Sequence, residues 1–297
     1  MFCTTSIRTR HLFFFYSCVV SSLIAIGARD AEAEQTPKLV ASSPAHTAFK
    51  IPSKSDRLAK PLSPVIDLAV GYYNYSRKNI RDYSCILVRQ ERVDGQLRPH
   101  EFMQARVRNQ RTKNGNIVIP FSVYLKVLKP SSLKGREVLF VAEQNKGDML
   151  VRNGGNRFEY VKTRLKPGSA IAMRENRYPI TEFGIENLTR RLILSAKQNL
   201  DSDCSIQILE NAQLNERPCR ELVITNNDRS QNLPFQEVRV LIDVELKMPV
   251  HYEAYDWPRV VGGTPELLER YTYLKIETNQ GFTAFDFDPA NPVINVQ

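Results

Sequence analysis

The sequence predicts an α+β, mostly β domain, and three observations carry that prediction. From Tyr83 onward apolar residues alternate with polar ones in short runs broken by Gly, Pro, Asn and Asp, the signature of half-buried strands. Successive runs are separated by short turns, which favours antiparallel neighbours, because a parallel crossover takes roughly a dozen or more residues. Only two stretches, residues 65–79 and 185–200, carry apolar residues at helical spacing.

Taken in chain order, residues 1–33 predict a signal peptide. Met1 to Arg10 carries Arg8 and Arg10 without an acidic residue, Leu12 to Ile26 is mostly apolar, and Ala31-Glu32-Ala33 offers small residues for cleavage before Glu34. The competing readings are a retained anchor, for which the apolar run is short of the roughly 20 residues a spanning helix needs, and lipidation at Cys18, where Phe15-Tyr16-Ser17 lacks the small residues of such a site. The whole chain of 297 residues carries a formal charge of +9. Cleavage removes three arginines and two acids, leaving +8. Outside the cytoplasm a basic surface fits anionic lipid, lipoprotein or an anionic envelope polymer better than nucleic acid. The densest basic stretch, Arg106, Arg108, Arg111 and Lys113, reads as a solvated strand end running into a loop.

Residues 34–63, with Pro37, Pro44, Pro52 and Pro61, read as a disordered linker, and residues 64–297 as one domain. Ser63-Pro64 reads as an N-cap followed by proline in the first turn, opening a helix from Val65 to about Asn79. Strands follow near residues 83–93, with Asp94-Gly95 as a hairpin-type turn, then 102–108, 121–128, 136–141, 149–152 and 157–162. Ile185, Leu188, Leu192, Ala196 and Leu200 form the stripe of a second helix, expected to pack on the sheet. Strands resume at 205–210, 220–225, 237–243, 250–255 and 270–277, followed by an irregular tail.

Beyond the leader only Cys85, Cys204 and Cys219 remain, an odd number that leaves at least one thiol free or paired between chains. Cys204 and Cys219 flank a hairpin, but a turn near Gln213 sets Cys219 opposite about residue 209, which disfavours a disulfide between them. Cys85 falls in the apolar row of its strand and reads as a buried, inert thiol.

Several segments together resemble a family: Asp82-Tyr83-Ser84-Cys85, Arg89 to Gly95, Pro120-Phe121-Ser122-Val123-Tyr124, Gly135-Arg136-Glu137-Val138 and Tyr255-Asp256-Trp257-Pro258. They are similar to a secreted bacterial family known only as domain of unknown function 1571, over about Val65 to Phe287. More remotely, the C-terminal half, from Val240-Leu241-Ile242-Asp243 to Asn279-Gln280-Gly281-Phe282 and Phe285-Asp286-Phe287, resembles the periplasmic lipoprotein-carrier (LolA/LolB-like) superfamily. That resemblance implies a strongly curved antiparallel sheet, an unclosed barrel, covered by two helices and able to hold acyl chains; it carries over no individual functional residue.

Signatures of chemistry are sparse. His46, His100 and His251 do not form a zinc pattern, and neither Asp201-Ser202-Asp203, a helix stop, nor Asp286-Phe287-Asp288, a solvated terminus, continues into a calcium loop. There is no Gly-x-Ser-x-Gly elbow, phosphate loop or dinucleotide fingerprint. Glu266 and Glu269 stand one helical turn apart near Pro265 and read as an exposed short helix, and the acceptor patterns at Asn74 and Asn187 lie on helices. Neither catalytic residues nor a cofactor or metal is expected.

What remains is aromatic and basic. Tyr124 and Tyr255 lie on strands and Trp257 at a strand end, where an aromatic row serves either as core or as the mouth of a binding cavity. Arg89, Glu91 and Arg92 read as a cross-strand ion-pair ladder, with anion recognition as the alternative. Tyr124, Tyr255, Trp257, Arg89 and Arg92 are therefore the candidate ligand residues. The first functional reading is an exported, non-catalytic binding protein of the periplasm or cell envelope that holds a lipid or lipoprotein acyl group. The alternatives are a structural or interaction module and an unrecognised hydrolase, the last requiring a polar cleft with His251 or a carboxylate pair.

Overall fold

The computed structural model describes residues 39–40, 49–50, 62–155, 161–231 and 233–296. The leader, most of the linker and most of the strand expected at 157–162 lie outside these residues. Two pieces of the linker do belong to the fold: β1 (Leu39–Val40) and β2 (Phe49–Lys50) pair along the same strand of the second half of the sheet.

One antiparallel sheet dominates, built from two consecutive meanders. The first runs β3 (Asp82–Val93), β5 (Glu101–Arg108), β8 (Ser122–Lys129), β9 (Glu137–Val141), β10 (Met149–Arg152) and β11 (Lys162–Leu165). The second runs β12 (Cys204–Leu214), β13 (Arg217–Asn226), β14 (Glu237–Asp243), β15 (Met248–Asp256) and β16 (Glu266–Thr278). The first strand of one meander pairs with the last of the other, β3 with β16, leaving β11 and the β12 side, with β1 and β2, as the two ends of an unclosed, curved sheet. Pieces the sequence did not reveal decorate it: β4 (Gln96–Leu97) on β3, and a separate hairpin of β6 (Arg111–Lys113) and β7 (Asn116–Ile119), each too short to show a period-two alternation.

One face is covered by α1 (Ser63–Asn79) and α3 (Ile185–Gln198), with the single turn α2 (Ala170–Met173) as a third, unexpected helix. The N-cap of α1 is Leu62 and makes no side-chain cap, so Ser63 already lies inside the helix. The entry to α3 is more constrained. Gly184 sits at φ +98°, the Tyr83 hydroxyl accepts the Ile185 N–H at 3.0 Å, and a Cβ on Gly184 would lie 2.9 Å from that oxygen. Only glycine takes this conformation without strain, and it lets a buried tyrosine cap the helix. The Tyr83 hydroxyl is held well above its ordinary pKa by burial. The expected stripe packs as drawn: Leu188 is buried, while Leu192 and Ala196 lie against the core between helix and sheet.

The other, outer face is half covered. The C-terminal segment, expected to be irregular and solvated, packs Phe287, Ile294 and Val296 onto Tyr124, Leu139, Val141 and Leu150 as a second core. Each such side chain contributes roughly 1.5–3 kcal/mol. Glu137, 1% exposed, fixes the segment by accepting the Asn295 N–H at 2.7 Å. Of the basic stretch, only Lys113 is exposed as expected; the three arginines are packed or paired. Arg106 lies over Tyr124 and Phe282, Arg108 is buried over Phe287, and Arg111 pairs with Glu186 on α3.

The hairpin of β12 and β13 turns at Asn215-Glu216 and carries an irregularity between Leu209 and Ala212, which places Cys219 opposite Ala212 and Cys204 opposite Asn226. All three cysteines are free and buried. Among the described residues no helix is long and apolar enough to cross a membrane.

Candidate functional site

Two cavities flank α3. Gly184, Leu188 and Arg191 recur at spacings of four and three and face one; Thr189, Leu192, Ile193 and Ala196 form the adjacent stripe and face the other.

The smaller, about 70 Å³, is closed by Ile66, Ala69 and Tyr72 of α1, by Leu222, Ile224, Val240 and Ile242 of the sheet, and by Leu233 and Phe235 of the loop before β14. Its lining is almost wholly aliphatic and aromatic, and no charged side chain takes part.

The larger, about 120 Å³, has an apolar wall of Leu87, Met103, Leu125, Val127, Met149 and Phe183 and a polar end with Arg89, Glu91, Tyr178, Arg191 and Tyr271. Strand period explains the mixture. Cys85, Leu87, Arg89 and Glu91 share one face of β3, as Glu269, Tyr271 and Tyr273 share one face of β16, so the charged residues continue the core rows inward. Here Glu269, expected on an exposed helix, is a buried strand residue, while Glu266 pairs with Arg259 near the loop.

Three tyrosines and two arginines hold the two buried acids. Glu269 accepts Tyr178 and Tyr252 hydroxyls at 3.0 and 3.1 Å, and its other oxygen lies 3.1 Å from the Tyr271 hydroxyl and 3.4 Å from Arg177. Glu91 accepts Tyr271 at 2.5 Å and the Arg177 backbone N–H at 2.9 Å. Tyr271 has one proton, so it donates to one carboxylate at a time. Burial beside Glu269 and Glu91 drives the Tyr271 hydroxyl well above its ordinary pKa, and burial likewise holds Tyr178 near 12. Arg89 bonds Glu101 at 2.9 Å; burial opposes its charge, but Glu101 and Glu91 more than offset that and raise its pKa.

The five candidate ligand residues do not converge. Arg89 alone lines a cavity, as one member of the expected ion-pair ladder. Arg92 donates instead to the backbone carbonyls of Leu267 and Gly95. Tyr124 is on the outer face under the C-terminal segment and so is not at a cavity mouth, because a strand residue one position out of phase points to the opposite face. Tyr255 accepts a hydrogen bond from Arg270 on that same outer side, and Trp257 faces Arg229 at 6.0 Å.

His251 also lies on the outer face, buried, with Nδ1 2.9 Å from Thr272 and Nε2 3.5 Å from Glu253. It lines neither cavity. Among the described residues no group of three or more His, Cys, Asp or Glu is placed to hold a metal. Sequence reasoning missed Glu269, Tyr178, Arg177 and Arg191; a charged pair inside the apolar row of β3 was the one available signal.

Residues 80–296 match the model of a family described as a protein of unknown function (DUF1571). The chain belongs to that family. Among curated proteins none matches it in sequence. Solved structures similar to it include a putative outer membrane lipoprotein-sorting protein domain from Vibrio parahaemolyticus, at 11% identity and TM-score 0.33 over 75% of this chain and 95% of that one. A LolA superfamily protein from Nitrosomonas europaea gives 12% and 0.30 over 74% and 97%. A chain of the Pseudomonas aeruginosa MucA/MucB complex gives 13% and 0.41 over 76% and 61%.

Proposed function

We propose that this protein is a non-catalytic binding protein of the cell envelope, exported by its leader, that takes an acyl chain into the apolar cavity between α1, α3 and β13 to β15. The observation that carries the reading is the cavity's lining: an uncharged space between two helices and a sheet, where a packed core would leave none. Aliphatic walls offer no direction-giving polar group, so affinity should follow apolar area, at about 0.8 kcal/mol per methylene, less the cost of ordering the chain.

Fatty acids of increasing length titrated into the domain should therefore bind with rising affinity, and native mass spectra of the purified protein should carry lipid. Ala196→Phe fills the cavity and should abolish both while the thermal unfolding midpoint stays near that of the parent. Absence of bound lipid, together with affinity independent of chain length, would discard the acyl-carrier reading and leave the interaction module.

A further inference from the structure

We infer that the larger cavity, on the other flank of α3, is a separate binding site for a small amphiphilic anion, with Arg191 as the residue that receives its carboxylate or phosphate group. The inference does not depend on the acyl cavity.

Arg191 is the odd member of the charged residues here. Arg89 is matched by Glu101, Arg177 by Glu269, Arg190 by Glu182 and Arg136 by Glu175. Among the described residues Arg191 has no ion pair; its guanidinium stacks on the Tyr178 ring at 3.5 Å, and its Nη1 is buried without a hydrogen-bond partner. A buried cationic N–H without an acceptor is costly, and the acids that line the cavity are already engaged, Glu91 by Tyr271 and Arg89, Glu101 by Arg89 and Glu182 by Arg190. A second orphan donor lines the same space: Nε of Arg136 is also buried without a partner.

The stacked tyrosine holds the Arg191 plane in place, so little side-chain freedom is lost when an anion arrives. Beyond the guanidinium the walls turn apolar, with Leu87, Met103, Leu125 and Val127, which fits a ligand with one charged group and a short hydrocarbon body. A carboxylate and a phosphate share the required chemistry, both accepting charge-assisted hydrogen bonds from arginine.

Calorimetric titration at neutral pH with octanoate, octyl phosphate and octanol tests this on the whole protein. The anions should bind at least about tenfold more tightly than the alcohol, the ratio expected of one charge-assisted hydrogen bond. Whichever of the two anions binds tighter identifies the preferred group. Arg191→Gln should erase the preference while leaving octanol unchanged. Arg259→Gln, which removes the same charge from an exposed position, should keep it. Should Arg191→Gln fail to fold, Arg136→Gln should reduce the preference, and addition of octanoate should raise the parent's thermal midpoint where octanol does not. Equal binding of all three compounds, or a preference that survives Arg191→Gln, would mean water satisfies these donors and would overturn the site. Ala196→Phe separates the two claims: loss of lipid capture with octanoate binding intact concerns only the acyl cavity, and lipid capture without an anion preference removes only the Arg191 site.

Discussion

The two faces of the sheet around β13 to β16 and β3 bury charge in different ways. On the outer face acids meet arginines across neighbouring strands, Glu253 with Arg270 at 2.8 Å and Glu221 with Arg239 at 3.6 Å, and along β14, Glu237 with Arg239 at 2.7 Å. Those arginines are about one-third exposed, so the ladder drains to solvent. On the helix-covered face Glu269 and Glu91 are satisfied mainly by tyrosine hydroxyls, with the half-buried Arg177 beside Glu269, and Arg191 is left over. A ladder open to water is a structural device, since each partner can be replaced by solvent. A closed cluster beside a cavity is costly unless something enters, which makes it the better place to look for a ligand.

The contrast predicts unequal responses. Glu269→Ala strands the Tyr178 and Tyr252 hydroxyls and removes the ion-pair partner of Arg177, while Tyr271 keeps Glu91, and should cost about 3–5 kcal/mol in urea unfolding. If Glu253→Ala, whose Arg270 partner can turn to water, lost as much, the two faces would not differ as described.

The next largest effect is on pH. Burial alone would raise Glu253, but His251 and Arg270 hold its carboxyl down at about 2, against an ordinary value of 4.5. A depressed folded pKa gives stability that is complete above about 4.5 and lost as pH falls towards 2, about 3 kcal/mol in all. Glu221 and Glu186, raised chiefly by burial, act with the opposite sign and soften the drop. Comparing the parent with Glu253→Gln between pH 5 and 2 isolates the Glu253 part; parallel curves would show that the outer ladder does not hold this carboxylate.

A smaller loss is expected at the helix that separates the cavities. Gly184→Ala places a Cβ against the Tyr83 hydroxyl at φ +98° and should cost about 1–3 kcal/mol, read as a lower thermal midpoint. The smallest response is in thiol labelling. Burial pushes Cys85 to about 12 and Cys204 and Cys219 to about 11, so none should react at pH 8 until the protein unfolds.

How much of this was legible follows from period and reach. Period two placed the strands and period 3.6 placed α1 and α3, because each is written in neighbouring residues. The alternation of β3 was equally visible, but Arg89 and Glu91 read from it only as members of an ion-pair ladder, not as the wall of a cavity. What no local pattern contains is the partner of those charges: Glu269 lies about 180 residues from Glu91, and its strand begins just after Pro265, which disguised it as a helix start. Tyr124 misled for a related reason. An aromatic on a strand has two faces to choose from, and the C-terminal segment that covers it comes from residues 282–296. Trp257 and Tyr255 were chosen for their type at a rim, while the residues that meet at the cavity were chosen by the register between β3 and β16.

That same register governs how the domain can be built. Each meander is made of neighbours in sequence and can form early from local contacts, but the seam between β3 and β16 joins the first strand of one meander to the last of the other. During synthesis β3 emerges with one edge unmatched and stays so until nearly the entire chain exists, and the larger cavity, whose wall includes both strands, cannot take shape before then. The slow event in refolding should therefore be the docking of two preformed halves, and any factor that shields the free edge of β3 would act before the binding surface is present.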